Sequence, residues 1–260
     1  MVLTFYKYQG TGNDFIIFDN RELKFDRKNN SLVAKLCDRR FGIGADGLML
    51  LQNKQSFDFE MVYYNSDGNE SSMCGNGGRC IVEFARELNL IKDKANFFAI
   101  DGVHDAIAKP GFISLKMNDV KNVELNADFS FLNTGSPHYV TFVNNLRDLN
   151  VFEEGKKIRN NDRFRAEGTN VNFVEKEYND LFVRTFERGV EGETHSCGTG
   201  VTAAALVASL KNFATAENYC SIKTLGGNLN VKFKKHPDNS FTDIWLEGPA
   251  TFVFKGEVKV

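Results

Sequence analysis

Ser72-Met73-Cys74-Gly75-Asn76-Gly77 and His195-Ser196-Cys197-Gly198-Thr199-Gly200 decide how this chain reads, because each sets a cysteine directly before a Gly-x-Gly turn. A run of helical character follows each turn, Arg79 to Leu90 in the first case and Val201 to Asn212 in the second. A thiol so placed faces the unpaired N–H groups and the positive dipole end of the helix, which favour thiolate over thiol. The glycines let backbone approach a ligand closely, so the same helix ends can hold a carboxylate. Two activated thiols point to one acting as base and the other as acid.

The surroundings of the two cysteines repeat. Cys197 lies 123 positions after Cys74, and Thr134-Gly135-Ser136 lies the same 123 after Thr11-Gly12-Asn13. That offset also takes Gly47 to Asn170, Asn65 to Arg188, and the strand ending Val62-Tyr63-Tyr64 into Arg184 to Glu187. We read two duplicated halves of equivalent fold, each giving one cysteine to a shared cleft. The segments predict an α/β (α+β) protein of two pseudo-symmetric domains, each with short, mostly antiparallel strands wrapped as a sheet or barrel around one main helix.

In order, Thr4 to Tyr8 and Phe15 to Phe18 read as strands, and Ser31 to Arg39 as a short helix capped by Ser31. Phe41-Gly-Ile-Gly-Ala-Asp-Gly47 matches G-x-G-x-x-G but precedes a strand, the reverse of the dinucleotide-binding order. Asp58 to Tyr64 is a strand ending in the turn Asn65-Ser-Asp-Gly. Strands follow from Asn96 to Ile107 and Phe112 to Met117. Asn118 to Asp128 is the candidate crossing between domains. The second half brings strands at Tyr139 to Val143, a mostly polar span, then Phe173-Val174 and Leu181 to Phe186, and four closing strands end at Phe254.

At 260 residues the chain has material for one large domain or two modest ones, and 42% hydrophobic with 25% charged side chains is ordinary for a soluble globular protein. A net charge of −2, from 32 basic and 34 acidic residues, gives no reason to expect nucleic acid or an anionic membrane as partner. No apolar stretch is long enough to span a bilayer and the N-terminus has no signal-peptide layout. Five scattered cysteines without an export signal fit reduced thiols in the cytoplasm.

Cys37, Cys80 and Cys220 read as small core hydrophobes, whereas Cys74 and Cys197 occupy matching helix starts and read as catalytic. The histidines at 104, 138, 195 and 236 are isolated and Cys74 and Cys80 are wrongly spaced, so no metal site is expected. His138 sits in the loop equivalent to the Asn13 loop, where it either lies beside a thiol or serves as a structural hydrogen-bonder. Glu187-Arg188, at a strand end one loop before Cys197, suits a ligand's ammonium and carboxylate. Asn13, Asn65, Asn76 and Asn170 fall in the turns of the repeat and offer neutral hydrogen bonds to a polar zwitterion.

Two thiols serve a reaction that removes a proton from one face of a carbon and delivers one to the other, inverting the stereocentre without a cofactor. An amino acid's Cα–H is a very weak acid. Helix N-termini aimed at its carboxylate in a dry pocket would stabilise the developing charge.

At these residues the chain resembles the diaminopimelate epimerase family, cofactor-independent two-cysteine enzymes of lysine and cell-wall precursor synthesis. The likeness is carried over the full length by Gly10-Thr-Gly-Asn-Asp-Phe15, Phe41-Gly-Ile-Gly-Ala-Asp46, Asn65-Ser-Asp-Gly68, Cys74-Gly-Asn-Gly77, Gly135-Ser-Pro-His138, Glu187-Arg-Gly189 and Cys197-Gly-Thr-Gly200. The resemblance implies interconversion of L,L- and meso-diaminopimelate in the cytoplasm, with Cys74 and Cys197 as the acid–base pair and, usually, a homodimer. It implies residues 1–117 plus 251–260 as one domain and 118–250 as the other, the last strand returning to the first. Gly75, Asn76, Gly198 and Thr199 would hold the reacting carboxylate. Asn13, Asn65, Ser136, Asn170, Glu187 and Arg188 would read the rest of the substrate, and His138 and Glu187 would tune the thiols. Two departures concern the distal end: Ser136 stands where many members have asparagine, and Gly47 where some have glutamine.

The rival readings are a racemase of proline, hydroxyproline or histidine type and a non-catalytic amino-acid-binding protein. Cys-Gly-Asn-Gly instead of Cys-Gly-His-Gly favours a substrate with a second polar end. Retention of both thiols favours catalysis.

Overall fold

The structure is a computed structural model and describes residues 1–214 and 216–260. The chain forms two compact units, Met1–Leu115 with Gly248–Val260, and Lys116–Glu247.

The first unit runs β1 (Val2–Gly10), β2 (Asn13–Asp19), α1 (Asn30–Cys37), β3 (Gly47–Gln52), β4 (Glu60–Asn65), β5 (Glu70–Ser71), α2 (Gly75–Glu87), β6 (Lys94–Ala99), β7 (Gly102–Lys109) and β8 (Phe112–Lys116). β1 and β2 are antiparallel, β2 and β3 parallel, and β3 and β4 antiparallel. β4 takes β5 antiparallel and β6 parallel, and β6, β7 and β8 continue antiparallel. The unbroken apolar runs of β2 and β3 follow from burial on both faces of the sheet. Ile16, Phe18, Leu48 and Leu50 pack with Val33, Leu36 and Cys37 of α1. Phe15 and Met49 lie instead against Gly77 of α2. Every α2 residue from Gly75 to Ala85 is buried, so α2 is the helix around which this unit is built.

The second unit runs β9 (Val123–Leu125), β10 (Ser130–Asn133), β11 (Pro137–Phe142), α3 (Val151–Arg159), β12 (Asn170–Glu177), β13 (Asp180–Glu187), β14 (Gly192–Thr194), α4 (Gly198–Leu210), β15 (Tyr219–Thr224), β16 (Gly227–Lys235) and β17 (Phe241–Pro249). Its pairings repeat the first unit's: β10–β11 antiparallel, β11–β12 parallel, β12–β13 and β13–β14 antiparallel, β13–β15 parallel, and β15–β16–β17 antiparallel. β18 (Thr251–Lys259) pairs with β1 in the first unit as β9 pairs with β10 in the second. α4 is apolar all round and buried from Val201 to Ala208, as a central helix must be. Among the described residues no helix is long and apolar enough to cross a membrane.

Four readings of the sequence need correction. α2 and α4 begin at Gly75 and Gly198, each directly after its cysteine, so the glycine turns are the helices' own first turns. Close packing outweighs the poor helix propensity of glycine there: a Cβ on Gly78 would meet Leu115 and Met73 at 2.9 Å. Asn29, not Ser31, caps α1 by accepting from the Leu32 N–H at 3.1 Å. The polar span holds a helix, α3, capped by Asn150, with Glu153 and Glu154 in its first turn and Lys156, Lys157 and Arg159 in its last. Finally, the offset of 123 slips within β13. Leu48 faces Tyr64, but Val171 faces Phe186, so Glu187 rather than Arg188 is the counterpart of Asn65.

Candidate active site

Cys74 is the N-cap of α2, its backbone extended at φ −92° and ψ 132°, and its carbonyl accepts from the Gly78 N–H at 2.7 Å. Its Sγ donates to Asn13 Oδ1 at 3.7 Å, and Asn76 Nδ2 donates to the same oxygen at 3.3 Å. Asn13 is oriented from behind, because its Nδ2 donates to Asp46 Oδ2 at 2.7 Å. Asp46 is held in turn by Arg39, which also pairs with Asp14, and Lys7 pairs with Asp14 from the other side. Burial pushes the Asp14 carboxyl up, but the hydrogen bonds from Arg39 and Lys7 outweigh it and hold it at about 2. The loop before Cys74 is pinned where Met73 N–H donates to Asp101 Oδ1 at 3.2 Å, and Asp101 pairs with His104.

Cys197 is the buried N-cap of α4, with φ −113° and ψ 112°. Its carbonyl accepts from the Val201 N–H at 2.8 Å, and its Sγ lies 3.5 Å from Thr199 Oγ1. Thr134 Oγ1 donates to Thr199 O at 2.8 Å, tying the β10–β11 turn to the helix start. Glu187 Oε1 accepts from Thr194 Oγ1 at 2.5 Å, three residues ahead of Cys197.

The anticipated distal residues of this unit converge. Asn170 Nδ2 donates to Ser136 Oγ at 2.9 Å, and Asn170 Oδ1 accepts from the Arg188 N–H at 3.0 Å. Arg188 donates Nη1 to Glu167 O at 3.0 Å and Nη2 to Ser136 Oγ at 3.4 Å. His138 is fully buried, and burial first, then the Arg188 charge, lowers its imidazole to about 3. The ring is therefore neutral at physiological pH. Its Nδ1 accepts from Asn172 Nδ2 at 3.1 Å, which leaves the proton on Nε2, an atom with no hydrogen-bond partner among the described residues.

In the first unit Asn13 and Asn76 join Cys74, whereas Asn65 is exposed at the end of β4, outside that network. Gly47 has no space for a side chain, since a Cβ would meet Tyr63 Cε2 at 2.6 Å and Tyr64 O at 2.7 Å. Cys37 and Cys80 are buried, and burial pushes each thiol up to about 12. Cys220 is buried with its Sγ donating to Ala205 O at 3.6 Å.

Sequence reasoning passed over Asp46, Asn172 and Arg79. Asn172 had a signal: it follows Asn170 by two on one strand, so both lie on the same face. Arg79 is a charge directly before the mostly apolar stretch Cys80-Ile-Val-Glu-Phe-Ala85. Asp46 stands in a glycine loop and gave none.

A family model for diaminopimelate epimerase matches residues 5–103 and 130–253. A diaminopimelate epimerase of Flavobacterium psychrophilum is 55% identical over 252 residues, covering 96% of this chain and 98% of that protein. One of Chlorobaculum tepidum is 40% identical over 266 residues, covering 96% and 98%. Among solved structures, a phenazine biosynthesis protein of the PhzF family from Bacillus anthracis superposes with TM-score 0.78 at 15% identity, over 100% of both chains. A hydroxyproline epimerase from Agrobacterium vitis, with bound trans-4-hydroxy-L-proline, gives 0.72 at 13% identity, over 99% of this chain and 92% of the other. At these identities the two structures speak for the fold.

Proposed function

The chain belongs to the diaminopimelate epimerase family, and from that premise we propose that it interconverts L,L- and meso-diaminopimelate by a two-thiol proton transfer. The observation that carries the mechanism is the matched pair of cysteine N-caps, each opening a buried 13-residue helix at the same place in a repeated unit.

Each thiol sits at the N-terminal end of a helix, where the dipole is positive and the first N–H groups have no carbonyl partner within the helix itself. The backbone N–H groups at Gly75, Asn76, Gly198 and Thr199 suit the α-carboxylate of the substrate, and they strengthen as negative charge builds on it toward the carbanion. The thiolate of one cysteine takes the Cα proton, and the thiol of the other returns a proton to the opposite face. The scheme requires both sulfurs to reach one carbon. Reversal exchanges their roles, so each isomer meets one base and one acid. Asn13 Oδ1, held by Asp46, accepts from Cys74 Sγ and so stabilises its protonated, proton-donating form.

Ser136, Asn170 and Arg188 form one polar cluster that suits the distal amino-acid end, the guanidinium taking its carboxylate. Asn65, which lies outside the Cys74 network, is assigned to the distal end on the family resemblance alone. Glu187 and neutral His138, with its Nε2 proton unpartnered, are the groups to set the acidity of the thiols. Thiols must stay reduced for this chemistry, which suits a cytoplasmic location.

A second copy of the chain is the partner we assign. Edge strand β18 pairs with β1, and Phe252, Val253 and Phe254 are 41%, 52% and 45% exposed along it.

The test is incubation of the reduced protein with L,L-diaminopimelate in heavy water without added cofactor. Deuterium uptake at Cα is followed by mass spectrometry and isomers by chiral chromatography. Uptake together with meso product is expected. No uptake with this substrate, but uptake with proline or hydroxyproline, would transfer the assignment to a racemase of another amino acid.

A further inference from the structure

Arg79 lies in the second turn of α2 and is fully buried, 0% exposed. Its guanidinium donates Nη1 to Gly75 O at 3.1 Å, Nη2 to Thr11 Oγ1 and to Asn76 Oδ1 at 3.1 Å each, and Nε to Pro249 O at 3.3 Å. All four acceptors are neutral. Gly10 makes the room, since a Cβ there would come within 3.3 Å of Nη2.

The other charged groups of this unit around the Cys74 end of α2 have hydrogen-bond or ion-pair partners of their own. From β2 and the loop before β3, Asp14 and Asp46 are paired with Lys7 and Arg39. From the β6–β7 turn, Asp101 is paired with His104. Further along α2, Glu83 is paired with Arg86, and Glu87 accepts from Tyr8. No carboxylate among the described residues pairs with Arg79. The acidic groups whose ionisation the guanidinium favours are the thiols of Cys80 and Cys74. Cys80 is enclosed, and burial pushes it up to about 12, so it stays protonated. Cys74 is half-buried at the positive end of the helix. A buried cation without a counter-charge is unfavourable, and a thiolate nearby relieves it.

We propose that Arg79 is a positioning residue for Cys74: its carboxylate-free guanidinium, buried beneath the first turn of α2, lowers the proton affinity of the Cys74 thiol and orients Asn76. The second role is geometric. Because Nη2 holds Asn76 Oδ1, the Asn76 amide turns its Nδ2 toward Asn13 Oδ1, the atom that also receives the Cys74 proton donor. The buried charge, Asn76, Asn13 and the Cys74 thiol are thereby one hydrogen-bonded set.

The consequence for turnover rests on Cys74 being a proton-transfer group, but the thiol's acidity is measured without turnover. Failure of the inference is therefore separable from failure of the functional reading. The rate of iodoacetamide labelling at Cys74, localised by peptide mass spectrometry, is recorded against pH for wild type, Arg79→Gln, Arg79→Lys and Thr11→Asp. Arg79→Gln should raise the Cys74 pKa by about one unit, cutting labelling about tenfold at a pH below it. Arg79→Lys keeps the charge and should stay within about threefold of wild type. Thr11→Asp supplies the missing carboxylate next to Nη2, at a residue with φ +50° where Asp is well tolerated, and should act in the same direction as Arg79→Gln. If Arg79→Gln does not fold, Thr11→Asp and Arg79→Lys decide. A Cys74 labelling profile unchanged in the folded variants, or Arg79→Lys shifted as far as Arg79→Gln, overturns the proposal.

Discussion

Asn172 Oδ1 occupies the space next to Gly200 so closely that a Cβ on residue 200 would meet it at 2.3 Å. The same Asn172 accepts from Thr185 Oγ1 at 3.0 Å and donates to His138 Nδ1 and to Tyr139 O. The glycine of the Cys197 turn and the histidine of β11 are thus fixed by one amide. Gly200→Ala must push Asn172 aside, at an overpacking cost of about 1–3 kcal/mol. A fall in Tm with loss of activity is expected; calorimetry showing wild-type stability would remove Asn172 as the constraint.

Cys74→Ala and Cys197→Ala should each lower epimerisation by about 10²–10⁴-fold, the range of a removed general acid or base. Both should keep the fold. Chiral chromatography after long incubation checks this, and substantial inversion by either single variant would rule out the two-base scheme.

Arg188→Lys replaces a planar fork by a point charge beside Ser136 and Asn170. The Michaelis constant for diaminopimelate should rise by about tenfold or more through loss of two parallel hydrogen bonds, with a smaller change in turnover. Steady-state kinetics with both parameters unchanged would place Arg188 outside the substrate site.

His138 titrates near 6.5 in an unfolded chain and at about 3 in the folded one, with burial the main cause. Between those values the unfolded state binds the extra proton, so stability is complete above pH 6.5 and is lost as pH falls toward 3. His138→Gln should flatten that dependence by up to about 1.4 kcal/mol per pH unit. Urea unfolding at several pH values reads the slope, and an identical slope in both proteins would contradict the assignment.

Val253→Lys sets a charge on the exposed face of β18, the strand we assign to the contact with a second copy. Light scattering after gel filtration should show a dimer for wild type and a monomer for the variant. A wild-type monomer at micromolar concentration would dismiss the interface.

The two cysteines, their glycine turns and the offset of 123 that holds outside β13 were legible because each lies in local sequence that chain geometry reads directly. A thiol before a helix start has its chemistry decided within a few residues. The offset even contained α3: adding 123 to Asn30–Cys37 gives 153–160, within two residues of Val151–Arg159. Polar composition masked that helix, because its stability comes from packing on Val171, Phe173 and Phe186, which are distant in sequence.

By itself the sequence determined the duplicated α/β plan, the catalytic cysteine candidates and the polar residues of the turns. Tertiary structure alone decided which of those turns share hydrogen bonds, that Asn65 stands apart, that β13 slips by one residue, and that Asp46, Asn172 and Arg79 support the visible residues. The physical reason is range: periodicity and capping act over a turn or two of chain. The balance of buried charge and the space for one Cβ depend on atoms that only folding brings together.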